Sequence, residues 1–282
     1  MDIRKTLSFG NALSQIELLY VISDFAIGDT SEPISYPDCK LSVTLSDGMD
    51  AVCRDRIYPL SVGDIEVFAP NEMQFARINR SGIHRFLDIY IQSSFFDDFS
   101  LCNEKVKKLF FDDSSNRSNR IRATSDKRSI CESAERIATA MASDGNENDL
   151  VIFSEILKLI VYASDHYTEN SDEDFLMPVT VAKTIHIIDE HYAEPLTLAQ
   201  LSSSAGCSVT GLTSAFKKCT GKTVITYITE RRLHNAKLLL SDGASVTDAC
   251  FDSGFTDCSY FIKTFKKYYN CTPLEYKRSS KS

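Results

Sequence analysis

The sequence predicts an α+β chain of two domains. An antiparallel β-barrel with following helices comes first, and an all-α domain holding two helix-turn-helix motifs comes last. Three observations carry this. The tripeptide Phe-Lys-Lys occurs at Phe216-Lys217-Lys218 and again at Phe265-Lys266-Lys267, 49 residues later, each time at the end of the same helix, turn and helix grammar. Residues from about 15 to 92 are short β-branched and aromatic runs separated by turn-rich segments. The charge is divided: from Pro178 onward there are 13 Lys+Arg against 9 Asp+Glu, a net +4, whereas the preceding 177 residues carry 18 against 30, a net −12. A basic segment on a chain of net charge −8 suggests that one half meets a polyanion and the other does not.

The β region begins with Ile16 to Ile27, then Lys40 to Leu45, with Gly28-Asp29-Thr30 and Ser46-Asp47-Gly48 as turns. Gly63-Asp64 feeds a strand from Ile65 to Ala69, which Pro70-Asn71 ends. Arg85 to Gln92 alternates, with Phe86, Asp88, Tyr90 and Gln92 on one face and Leu87, Ile89 and Ile91 on the other. Strands of this length and spacing suggest a small antiparallel barrel or sandwich. Residues 112 to 126 are polar and read as a loop. Two helices follow, Ser129 to Ala142 and Leu150 to Tyr167. The second is apolar on more than one stripe, so it needs two packing surfaces. Either an intrachain core or a partner subunit satisfies that need. An acidic linker is expected over residues 169–178.

From Val179 the chain reads as helical. Thr197-x-x-Gln200 has capping-box spacing, and Thr272-Pro273-x-Glu275 places proline at a first helical position. In the first repeat Leu212 and Phe216 turn inward, leaving Thr210, Thr213, Ser214 and Lys217 outward. In the second, Phe261 and Phe265 turn inward, leaving Cys258, Ser259, Ile262, Lys263 and Lys266 outward. A reading helix presents short polar or basic side chains at its N-terminal half, away from its apolar anchors. Lys217, Lys218, Lys266 and Lys267 lie near helix ends, where they suit phosphate contact, or simply a solvated face.

The residues Val246, Ala249, Gly254, Phe255, Asp257, Ser259, Tyr260, Phe261, Phe265, Lys266, Thr272, Pro273 and Tyr276, with Tyr227, Arg232, Leu233, Ala236, Leu239 and Leu240 between the repeats, resemble the DNA-binding domain of the AraC/XylS family of bacterial transcription regulators. The resemblance spans Val179 to Arg278. Asn270 stands where the family usually has glycine, Ala249 where it has a larger aliphatic, Lys277 where it has arginine, and Gly211 where the first motif often has a bulky residue. The family's base-reading positions correspond to Thr210, Thr213 and Ser214, and to Cys258, Ser259 and Lys263. Arg232 corresponds to an arginine that braces the two subdomains. Residues 1–110 resemble, more loosely, the family's cupin-like sensor domain. That resemblance implies a small-molecule effector, with Phe68, Phe75, Arg77, His84 and Phe86 as pocket candidates. It also implies dimerisation by helices within 111–168, with Ile152, Ile156, Leu159 and Ile160 as candidates. The DNA-binding domain is expected over 179–282, its motifs at about 197–218 and 246–269.

The expected partners are double-stranded promoter DNA, an unidentified small-molecule effector, a second copy of the chain as a homodimer, and RNA polymerase. No cofactor and no metal are expected. The nine cysteines form no C-x-x-C pair, and the barrel region holds one histidine, His84, with no His-x-His. There is no Gly-rich phosphate loop and no G-x-S-x-G, so catalysis is not expected. Met1-Asp2-Ile3-Arg4-Lys5 is not followed by the apolar run of a signal peptide, and no 18-residue apolar segment exists, so a cytoplasmic protein is expected. Two alternatives stay open: a barrel that serves only in dimerisation or partner binding, and a metal-free cupin enzyme fused to a DNA-binding domain.

Overall fold

The computed structural model describes residues 2–9, 14–98, 104–112, 117–123, 126–143, 146–167 and 175–279. It divides into two compact units, one of residues 1–29 and 35–176, the other of 30–34 with 177–282. Most of the acidic linker expected over 169–178 lies outside the described residues.

The first unit is built on two antiparallel sheets. The strands are β1 (Asp2–Phe9), β2 (Ser14–Phe25), β3 (Cys39–Thr44), β4 (Met49–Cys53), β5 (Arg56–Leu60), β6 (Ile65–Phe68), β7 (Gln74–Ile78), β8 (Gly82–Ile91), β9 (Arg120–Ile121) and β10 (Phe175–Leu176). One sheet runs β1-β2-β8-β3-β6-β9 and the other β10-β5-β4-β7. No pairing closes them into a ring among the described residues, so the expected barrel is a two-sheet arrangement there.

Alternation gives each sheet two distinct faces. On the six-stranded sheet, Leu41, Val43, Ile65, Val67, Leu87, Ile89 and Ile91 are buried against helices α3 (Lys127–Met141) and α4 (Asn146–Asp165). The opposite face carries Phe68 and Phe86. These pack with Met49, Ala51, Cys53, Tyr58, Leu60 and Ile78 of the four-stranded sheet, making a second core. The hydrogen bond from Lys40 Nζ to Gln74 Oε1, 3.3 Å, crosses from one sheet to the other.

The polar stretch expected as a loop contains an inserted element. Arg117 to Ile121 are all buried, and β9 extends the six-stranded sheet through Ile65↔Ile121 and Glu66↔Arg120. Arg117 is tolerated inside because its guanidinium donates to main-chain carbonyls, Val67 O at 3.1 Å and Phe110 O at 3.4 Å, and lies 3.7 Å from Glu72.

Helix α4 resolves the question of its two apolar stripes. Ile152, Ile156, Leu159, Ile160 and Ala163 are at most 4% exposed, inside the same core as α3, the sheet, Phe95 and Phe96 of α1 (Ser93–Asp98), and Leu109 and Phe110 of α2 (Glu104–Phe111). Both stripes are covered by the chain's own side chains. The large apolar residues α4 leaves exposed are Leu150, Val151 and Val161. Glu155, the charge interrupting the apolar run, is buried but accepts from Ser133 Oγ at 2.7 Å and pairs with Lys158 at 2.8 Å.

The second unit is helical: α5 (Val179–His191), α6 (Leu198–Ala205), α7 (Val209–Thr220), α8 (Val224–Ser241), α9 (Val246–Asp252), α10 (Cys258–Tyr269) and α11 (Pro273–Ser279). Residues 30–34 pack with it, Tyr269 Oη donating to Glu32 at 3.0 Å.

Candidate nucleic-acid interface

Two helix pairs, α6 with α7 and α9 with α10, repeat one construction. Each helix starts on a side-chain cap. Thr197 accepts from Gln200 N while Gln200 Oε1 accepts from Thr197 N, at 3.2 and 3.0 Å. Ser208 accepts from Gly211 N at 3.1 Å, Ser245 from Asp248 N at 3.0 Å, and Asp257 from Ser259 N and Tyr260 N at 2.7 and 3.1 Å. Each cap satisfies main-chain donors that a helix start leaves over. The first turn runs through Gly206 at φ +72°. The second needs Gly254 at φ +85°, where a Cβ would stand 2.7 Å from the Ala193 main chain. No other residue fits that approach. Asn270, at the glycine position of the family pattern, ends α10 in the left-handed conformation at φ +55°, which asparagine adopts readily.

The anchors are buried as their spacing requires. Leu212, Phe216, Phe261 and Phe265 are each 0% exposed. Phe216 meets Tyr227 of α8 edge-on at 5.6 Å. Phe261 and Phe265 join Leu233, Ala236, Leu240, Ala249, Cys250 and Phe255 in one core. The joining helix α8 thus contributes to both subdomain cores. Arg232 on α8 donates to Tyr192 O at 2.7 Å and Glu194 O at 2.8 Å, fixing the end of α5. Arg231 stacks on the Tyr192 ring at 4.2 Å.

With the anchors inward, the remaining side chains fall on the outer faces. On α7, Thr210, Ser214, Lys217 and Lys218 are exposed and Thr213 is half-buried, its hydroxyl donating back to Val209 O at 3.0 Å. On α10, Ser259, Lys263, Lys266 and Lys267 are exposed, and Cys258 is half-buried against Cys250. Gly211, in the first turn of α7, gives its N–H to the Ser208 cap, and a Cβ there would sit 3.1 Å from that hydroxyl. Lysines close both α7 and α10, where they also suit the helix dipole.

The pocket candidates of the first unit divide between two faces. Phe68, His84 and Phe86 lie on the face that looks toward the other sheet. Phe75 and Arg77 alternate with Gln74, Ala76 and Ile78 and so lie on the opposite side of β7. There Arg77 is paired with Asp50, Nε to Oδ2 at 3.0 Å. Sequence reasoning missed the polar groups between the sheets. Lys40 pairs with Asp88 at 3.1 Å, and Tyr90 Oη donates to the same oxygen at 3.1 Å. Glu66 is buried beside them, and the loss of water pushes its carboxyl up to about 7. Asp88 Oδ1, Thr44 Oγ1 and His84 Nδ1 are buried with no hydrogen-bond partner among the described residues. The available signal was Lys40-x-Ser42-x-Thr44 alternating with apolar Leu41 and Val43.

Residues 201–279 match the family model described as a helix-turn-helix domain. An uncharacterised HTH-type transcriptional regulator of Bacillus subtilis, YdeC, is 30% identical over 111 residues, 39% of this chain and 38% of that protein. A second, encoded in the cgkA 5′ region of Pseudoalteromonas carrageenovora, is 35% identical over 95 residues, 34% of this chain and 57% of that protein. Among solved structures, the C-terminal domain of the two-component response regulator yesN from Fusobacterium nucleatum is 36% identical, covering 33% of this chain and 93% of that one, with a TM-score of 0.32. The chain spans between about a third and three fifths of the length of these two curated relatives. The C-terminal unit is therefore a helix-turn-helix domain of the kind found in transcription regulators. Within that class, its residue pattern resembles that of the AraC family.

Proposed function

We propose that the chain is a sequence-specific transcription regulator that binds double-stranded promoter DNA through residues 179–282. Helices α6–α7 and α9–α10 act as two helix-turn-helix motifs. The observation that carries this reading is the repeated presentation of short polar side chains and terminal lysines over buried anchors on α7 and α10. Thr210, Thr213 and Ser214 serve the first reading surface, and Cys258, Ser259 and Lys263 the second. Lys217, Lys218, Lys266 and Lys267 hold phosphates.

Two measurements on the purified protein test this. In anisotropy titrations with promoter fragments, affinity should fall steeply with salt, because bound lysines release counterions. Lys263→Ala should weaken specific binding by about 1–3 kcal/mol and spare non-specific binding, as expected for a base contact. Lys267→Ala should weaken both alike. Salt-insensitive binding, or no binding to any promoter fragment, would defeat the proposal.

Residues 1–110 form its sensor domain, 111–168 a helical segment and 169–178 the linker. A small molecule enters between the two sheets of the sensor, where Asp88 Oδ1 and Thr44 Oγ1 offer unmet hydrogen-bonding capacity beside Phe68 and Phe86. Homodimerisation, if it uses α4, engages Leu150, Val151 and Val161 rather than the buried Ile152, Ile156, Leu159 and Ile160. An effector at a concentration one hundred times its Kd would raise native stability by about 2.7 kcal/mol. Thermal melts against a metabolite panel read this directly, and Asp88→Asn should abolish the shift. A shift that survives Asp88→Asn would place the ligand elsewhere.

A further inference from the structure

Cys250 and Cys258 stand on the two helices of the second motif, eight positions apart in the chain. Their sulfurs are 3.1 Å apart, and both are free thiols. Cys250 points from α9 into the core and is 0% exposed, while Cys258 is the first residue of α10 and is half-buried. A disulfide bond is about 2.05 Å long, so the sulfurs need to approach by only about 1 Å. The chain between them is the turn of the motif itself, Phe251 to Asp257, including Gly254.

We infer that Cys250 and Cys258 are a peroxide-sensitive dithiol, and that their oxidation to a disulfide weakens DNA binding by the second motif. The inference rests on the DNA-binding reading above. The chemistry divides by exposure. Peroxide reaches Cys258, whose sulfur attacks one peroxide oxygen and breaks the O–O bond, giving a sulfenic acid and one water. Burial and the contact with Cys258 push the Cys250 thiol up to about 12, so it waits as a thiol. Its sulfur then attacks the Cys258 sulfur, and its proton leaves with the displaced hydroxyl as a second water. Two thiols lose two electrons and two protons, and one peroxide becomes two waters.

The consequence follows from where Cys258 sits. It opens the helix that presents Ser259 and Lys263, one and five residues further on. Drawing the start of α10 toward α9 moves that surface by a distance comparable to the tolerance of a hydrogen bond. It also removes Cys258 from the outer face. Asp257, which caps α10 through Ser259 N and Tyr260 N, would move with it.

The experiment uses the full chain, a promoter fragment and hydrogen peroxide. Oxidised protein is alkylated, digested and mapped by mass spectrometry, and a parallel sample is titrated with DNA. The expected result is a Cys250–Cys258 cross-linked peptide, about a tenfold loss of promoter affinity, and recovery of both by dithiothreitol. In Cys250→Ala, no cross-link forms, and dimedone captures the sulfenic acid at Cys258 in higher yield than in the wild type. Alkylatable thiols at both positions, under peroxide that oxidises other cysteines of the chain, would overturn the inference. So would a cross-link that leaves promoter affinity unchanged. A cross-link in a protein that binds no DNA in either state defeats the DNA reading and the regulatory claim, while still supporting the dithiol.

Discussion

Replacing Lys222 with methionine is expected to destabilise the helical unit by about 3–5 kcal/mol, the usual cost of leaving one member of a buried ion pair alone. Lys222 and Glu230 are 5% and 6% exposed, and the ammonium donates to Glu230 Oε2. Lys222 lies in the turn from α7 to α8, and Glu230 lies on α8. Burial pushes Lys222 down and Glu230 up, so each charge persists because the other is present. The Glu32 carboxylate also acts on Lys222, so removing the ammonium strands Glu230 and takes one of two nearby lysines from Glu32, which keeps Lys237. Lys222→Met/Glu230→Leu should recover most of the loss, because an apolar pair fills the space without a stranded charge. Urea unfolding of the single and double variants measures this. A single variant within about 1 kcal/mol of wild type would show that the pair is effectively hydrated.

The second large effect is expected at Glu66, between the sheets. Its carboxyl is raised from 4.5 to about 7, first by desolvation, with Lys40 and Arg120 opposing the rise and Asp88 and Asp64 adding to it. A group raised on folding contributes stability below its unfolded value and loses it as pH rises through the folded one. The contribution of Glu66 is thus complete below about 4.5 and gone above about 7. Each tenfold change in proton affinity is worth about 1.36 kcal/mol, so this contribution amounts to about 3 kcal/mol. Glu66→Gln should therefore gain on the wild type as pH rises from 4.5 to 8, by up to about 3 kcal/mol, less whatever attraction to Lys40 is lost. Unfolding followed across that pH range reads the difference. Parallel curves would show that Glu66 titrates normally.

The C-terminal architecture was legible because several local signals agree there. Leu212 with Phe216, and Phe261 with Phe265, have four-residue spacing that places each pair on one helix face, and all four are fully buried. Thr197-x-x-Gln200 forms the reciprocal cap that its spacing implies. The first unit was less legible, for identifiable reasons. The short strands β4, β5 and β7, five residues each, carry little periodic signal. Without the register of β7, Phe75 and Arg77 could not be separated from Phe68 and Phe86, and a shift of one residue exchanges the faces. Helix α4 was ambiguous because an apolar stripe is the same whether a partner covers it or the chain does. Arg117 and Arg120 looked like loop residues because their burial depends on distant carbonyls at Val67 and Pro59.

Above all, one chain is proposed to engage DNA through both motifs at once. The joining helix α8 has 18 residues, which at 1.5 Å each span about 27 Å. Successive major-groove faces on one side of DNA lie about 34 Å apart, roughly one helical turn. The first helix pair precedes α8 and the second follows it, so two-motif engagement requires one reading helix to serve each end of α8 on one side of the duplex. Hydroxyl-radical footprinting of the full-length protein on a promoter it binds reads this engagement without intermediaries. Each bound helical unit is expected to protect two patches, about one turn apart on one face, over an asymmetric sequence. A single patch for each bound unit would mean that only one helix pair engages, and two-motif binding would be wrong.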